Sequence, residues 1–101
     1  MNGQAGIIRI WQDALDQSPY PGKYDLVIAN IISRVLIEVH RSLIDSMNFD
    51  GRLLLSGIIE PKEQSVIDCY RGAGLELIER RQMGDWIAHL WRRSAAGSIS
   101  G

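Results

Sequence analysis

The residues able to do chemistry are few and scattered along 101 positions. Asn30 closes the apolar run in YDLVIANIIS, Tyr24 to Ser33. An amide there offers one carbonyl acceptor and two N–H donors, which suits an amine, an amide or an adenine-like edge. The same side chain can instead satisfy the turn from strand to helix. Ser56 and Gly57 end a second apolar run, RLLLSGI, and Asp13 follows a third, IIRIW. His40, His89 and Cys69 lack the close pairwise spacing of a zinc site, so no metal is expected and both histidines read as surface or interface residues. Cys69 has no local cationic cluster to depress a thiol pKa and reads as a half-buried small residue. Trp11, Trp86 and Trp91 read as core or interface residues. Arg80, Arg81, Arg92 and Arg93 make either a small basic patch or two solvated strand ends.

Positioning these groups requires alternating strands and helices. Ile7 to Trp11 is short, β-branched and aromatic, a first strand. QDALDQSPYPGK, with two prolines and Gly22, reads as a loop containing at most one helical turn. DLVIA is apolar without alternation, as in a central parallel strand covered on both faces. Ser33 is placed to cap one helix running to about Asn48, with Val35, Leu36, Val39, Leu43, Ile44 and Met47 on its inner stripe. Arg52 to Ile58 gives a third buried strand. Glu60 and Pro61 then start a helix whose inner face is Val66, Ile67 and Tyr70.

Gly72 and Gly74 in YRGAGLELIE pose a GxG question. A phosphate-binding loop follows a strand and opens a helix, whereas these glycines follow a helix and open a strand, so they read as a helix terminus. LELIERR and WIAHLWRR close the fold as an antiparallel hairpin turning at Gly84 and Asp85. The tail SAAGSISG, 94–101, is small and polar and is expected to be disordered.

The order β, loop, β, α, β, α, β, β predicts an α/β fold, a Rossmann-like half-sheet that is mostly parallel with a carboxyl-terminal antiparallel hairpin. Ligands of such sheets bind beyond the carboxyl ends of the strands, where Asn30, Ser56, Gly57 and Asp13 fall. The hydrophobic content of 46% supplies one core, and a net charge of -1 creates no field for nucleic acid or an anionic membrane. One cysteine and no signal-like or membrane-length apolar run make cytoplasmic the simplest compartment.

YDLVIANIIS, DGRLLLSGII and YRGAGLELIERRQMGDWIAHLWRR together resemble the second half of a class I S-adenosylmethionine-dependent methyltransferase. The resemblance is greatest to the bacterial enzymes that methylate lysines and the terminal amine of the large-subunit stalk-base ribosomal protein. It covers roughly residues 1 to 93. It implies that Asn30 orients the nucleophilic nitrogen, that Ile31 and nearby backbone shape the amine pocket, and that Ser56 and Gly57 border the substrate. Asp13 or Gln12 would meet the adenine amine. The implied reaction is an in-line displacement of methyl from a sulfonium by a deprotonated amine, without a metal.

The glycine-rich loop and the acidic residue that hold the cofactor's methionine and ribose in the family have no counterpart in these residues. Residues 1–93 are therefore expected to be a partial catalytic domain, inactive until the other half is supplied; the alternative is a non-catalytic association module or inactive remnant. In the family sheet two further strands separate the counterparts of Ile7 to Trp11 and Asp25 to Ala29. Here either the first strand pairs directly with the second or an apolar edge stays open, and open edges recruit other chains. Self-association through the sheet edge is the expected result.

Overall fold

The computed structural model describes residues 6–11 and 24–93. The loop expected over 12–23, with Gln12 and Asp13, and the tail 94–101 lie outside the described residues. Strands β1 (Ile7–Trp11), β2 (Tyr24–Asn30), β3 (Met47–Ile59), β4 (Leu75–Met83) and β5 (Trp86–Arg93) form one sheet in the order β1-β2-β3-β5-β4. The β1/β2 and β2/β3 pairings are parallel, and β3/β5 and β4/β5 are antiparallel. Of the two arrangements open to the first strand, direct pairing is the one adopted: Ile8 lies opposite Val27 and Ile10 opposite Ala29.

Period-two alternation sorts the strands into two faces. Val27, Ala29, Leu53, Leu55, Ile58, Ile87 and Trp91 point under the helices and are buried. Leu26, Ile28, Leu54, Ala88 and Leu90 point the other way and are only half-buried, because no described helix covers them. The apolar run of β2 thus has the composition of a strand covered twice, but the described helices cover it on one side.

The expected single helix over 33–48 is two, α1 (Ser33–Glu38) and α2 (His40–Asp45), meeting at Val39, whose φ of -103° and ψ of 12° leave the helical region. Ser33 is not the cap. Ile32 holds that position with extended backbone, and Ser33 is the first helical residue, its hydroxyl buried without a partner among described residues. Met47 through Asp50, expected to end the helix and turn, already belong to β3. The extra residues bulge between the Tyr24/Met47 and Leu26/Arg52 pairings, with Asp50 at φ 65°.

Pro61 sits in a 3-10 turn, Glu60–Lys62, that leads into α3 (Glu63–Gly72). Gly74 follows at φ 97°, so the GxG pair does terminate the helix and carry the chain into β4. Gly84 opens the hairpin turn at φ 61°, where turns that match strand twist call for a positive value.

Tyr70 ties the helices to the sheet. Its ring packs 5.9 Å from Trp91 and its hydroxyl donates a 2.6 Å bond to the Leu36 carbonyl, wholly buried. Burial pushes its phenol pKa far above the usual value, so it remains a donor. Tyr70→Phe leaves that carbonyl unpaired and should cost about 1–3 kcal/mol in urea unfolding, with little change in the denaturant slope.

Candidate functional site

Asn30 is the last residue of β2, opposite Ser56 of β3 and Trp11 of β1. Its side chain is exposed and makes no hydrogen bond to another described residue, so the turn-satisfying role does not occupy it. The chain leaves β2 through Ile31, whose N–H donates to the Ser56 carbonyl at 3.3 Å. The Ile31 side chain is in the core, which leaves its backbone as the part available to a cleft.

Gly57 fixes where the amide sits. It adopts φ 87°, and a Cβ there would meet Asn30 Oδ1 at 3.0 Å and the Ile31 carbonyl at 3.2 Å. Any larger residue would be strained in its own backbone and would press on the amide. The same glycine bends β3, whose register with β5 shifts between Leu55 and Ile58.

Beyond Ser56 and Gly57 a groove of about 540 Å³ opens on the sheet face that no described helix covers. Its far wall is the hairpin, with Met83, Trp86, Ala88 and Arg81. Met83 and Trp86 are paired across the turn and are 81% and 61% exposed, a large apolar area offered to the groove rather than to the core. A smaller hollow of about 250 Å³ continues along Leu54 and Leu90 and shares Arg81 and Ala88. The structure therefore brings Asn30, Ser56, Gly57 and the Ile31 backbone together.

Met83 and Trp86 were not singled out for this site by sequence reasoning. Their signal was available, since both flank a hairpin turn on the side opposite to Ile87.

A second ionisable cluster lies on the helix side of the same hairpin. Glu63, at the start of α3, accepts from Arg80 through both carboxylate oxygens, with Arg80 Nη2 at 2.8 Å from Oε1, and contacts His89 Nε2 through Oε2 at 2.9 Å. Arg80 Nη2 also donates to Gln82 at 2.7 Å. His89 is fully buried, which corrects the reading of both histidines as surface or interface residues. Period two explains why: Ile87, His89 and Trp91 share one face of β5. His40 is half-buried, with Nδ1 2.7 Å from the Ile37 carbonyl. Arg80 is likewise no free strand-end charge, whereas Arg92 pairs with Asp50 at 3.1 Å.

Hydrogen bonds from Arg80 lower the Glu63 pKa to about 2, against opposing desolvation and with help from His89. Among the described residues no group of three or more His, Cys, Asp or Glu is placed to hold a metal ion, and no helix is long and apolar enough to cross a membrane.

The family model for ribosomal protein L11 methyltransferase matches residues 1–94. The ribosomal protein L11 methyltransferase of Geotalea uraniireducens is 46% identical over 66 residues, 65% of this chain and 21% of that protein. The enzyme of the same name from Pelobacter propionicus is 37% identical over 75 residues, 74% of this chain and 24% of that protein. A crystal structure of ribosomal protein L11 methylase from Lactobacillus delbrueckii subsp. bulgaricus superposes with a TM-score of 0.70 at 26% identity, covering 73% of this chain and 38% of that one. The chain thus spans between a fifth and a quarter of the length of these two sequence relatives.

Two substitutions separate positioning from display at this site. Gly57→Ala should destabilise the chain by about 1–3 kcal/mol and shift the Asn30 side-chain amide resonance, whereas Asn30→Ala should stay within about 0.5 kcal/mol of the parent. For Glu63, whose folded pKa lies below the ordinary 4.5, the stabilisation is complete above pH 4.5 and is lost as pH falls towards 2. Unfolding measured across that window should show a loss approaching about 3 kcal/mol that Glu63→Gln lacks.

Proposed function

The chain belongs to the ribosomal protein L11 methyltransferase family, and we propose that it supplies the acceptor side of a protein-amine methyl transfer site. The observation that carries this reading is the Asn30 amide, without a hydrogen-bond partner among the described residues and set against Gly57, which itself lines a groove walled by Met83 and Trp86. S-adenosylmethionine, when bound, supplies an electrophilic methyl group on a sulfonium. The donor set fits the methyl and amine end of such a ligand: Asn30 Oδ1 accepts an N–H of the incoming amine and so aims its lone pair along the line of displacement. A charged ammonium has no lone pair to give. Met83 and Trp86 offer apolar surface along the groove that a bound substrate would cover, and such surface disfavours the charged form. Ser56, Gly57 and the Ile31 backbone border the substrate, and Asp13 or Gln12 takes the adenine amine.

Residues 1–93 in this reading are a partial catalytic domain acting in the cytoplasm on a ribosomal protein. The contacts for the cofactor's methionine and ribose come from polypeptide beyond these 101 residues, and the chain alone is inactive. The sheet face that no described helix covers, with its half-buried Ile28, Leu54 and Leu90, supports an alternative role as an association module. At the sheet's two edges, β4 is lined with Glu76, Glu79 and Arg81, while β1 presents Ile7, 56% exposed. Charge blunts the first edge, and the second favours pairing with another copy.

Titration calorimetry of S-adenosylmethionine and S-adenosylhomocysteine tests the assignment. The isolated chain should give no saturable heat. Mixed with a separately produced glycine-rich half from a relative, it should bind one equivalent and methylate the ribosomal protein, with Asn30→Ala lowering turnover about 100-fold or more at similar cofactor affinity. A complemented enzyme indifferent to Asn30→Ala would remove the role given to that amide. Light scattering should find dimers at micromolar concentration, and a monomer throughout would rule out edge pairing.

A further inference from the structure

The part-buried ionisable cluster and the open groove are two sides of one piece of sheet. Arg80 lies opposite His89 and Arg81 opposite Ala88 in the β4/β5 ladder, so adjacent rungs point to opposite faces. Arg80 and His89 meet Glu63 beneath the hairpin, while Arg81 and Ala88 floor the groove above it. Beyond them the hairpin ends in Met83 and Trp86. Glu63 is the point at which side-chain hydrogen bonds join α3 to both hairpin strands.

We propose that Glu63, Arg80 and His89 form a proton-operated clamp: with His89 neutral the hairpin is held on α3 and the Met83–Trp86 wall is in place, and protonation of His89 releases it. The tautomer follows from the contacts. A carboxylate paired with Arg80 is an acceptor, so His89 Nε2 carries the hydrogen and Nδ1 is bare. Nδ1 is buried and has no partner among the described residues. A proton arriving there creates a second N–H inside the core with no described acceptor, and the ring gains a charge where water is excluded. The way to hydrate that group is to part the hairpin from α3.

The surroundings of His89 set the sign. From α3 the Glu63 carboxylate favours the charged ring, and from β4 the Arg80 guanidinium opposes it. Its neighbour on β3 is the apolar Leu55, and on β5 the Trp91 ring stands edge-on at 5.7 Å. Glu60, in the turn before α3, acts on Arg80. Burial is the largest of these effects, and the His89 pKa is held below its ordinary 6.5. The unfolded chain therefore takes up the proton first. Stability from this group is complete above about pH 6.5 and declines as pH drops through that value towards the folded pKa.

The clamp depends on geometry alone and stands whether or not the groove receives a methyl donor, so the test uses the 101-residue chain without cofactor. The ring Cε1–H signals of His40 and His89, the Trp86 indole N–H and the Met83 methyl are followed by NMR from pH 8 to 5. The Trp86 and Met83 signals should move with the His89 midpoint, below 6.5, while β2 and β3 amides stay in place. His89→Gln should abolish the hairpin response, and Glu63→Gln should lower the His89 and hairpin midpoints together. Hairpin signals that ignore the His89 midpoint, that persist in His89→Gln, or that move only with β2 and β3 would overturn the clamp. If neither variant folds, the wild-type comparison of midpoints decides.

Discussion

The parallel pairing of β2 with β3 is the constraint on which the rest of the molecule depends. It aligns Ala29 with Leu55 in the core and, one step on, Asn30 with Ser56 at the rim. A slip of one residue would exchange the faces, sending Asn30 inward and Val27 and Ala29 into water. Full burial of Val27, Ala29, Leu53 and Leu55 holds the register against that slip. The polar rim is thus placed by the apolar residues behind it, and Gly57 refines the placement by letting β3 bend without touching the Asn30 amide more closely.

Local signals foretold what local physics decides. The strands, the hairpin at Gly84 and Asp85, the Gly72–Gly74 helix end and the location of Asn30, Ser56 and Gly57 follow from period, turn chemistry and the rule for strand ends. The break at Val39 was hidden because its neighbours keep a helical stripe of apolar residues across it. Leu36, Leu43 and Ile44 are buried as that stripe requires, although the backbone is interrupted. Ser33 has the residue type of a cap without the geometry of one. Asp13 and Gln12 lie outside the described residues, and their role continues to rest on the resemblance.

Long-range pairs were a different matter. Glu63 meets Arg80 and His89 across 17 and 26 residues of chain, a separation at which no sequence period operates. In isolation Glu63 reads as a first-turn carboxylate on a helix, Arg80 as a strand-end cation and His89 as a hairpin residue. Together they form a part-buried ion pair hydrogen-bonded to a buried imidazole, in which the protonation of Glu63 and of His89 depends on each other and on Arg80. Such a cluster is costly to bury, and its position where α3 meets both hairpin strands gives it control over how those elements sit together.

The strand order has a consequence for the birth of the chain. β5 is the last of the described strands to be made, yet it lies between β3 and β4 and covers the second edge of β3. Arg93, at its end, reaches back to the carbonyls of Ile44 and Met47 at 2.9 Å each. During synthesis, β3 must therefore wait with one apolar edge unpaired until nearly the whole hairpin has left the ribosome. A nascent chain of this topology exposes that edge for the time taken to translate residues 60 through 93, an interval in which other chains can pair with it.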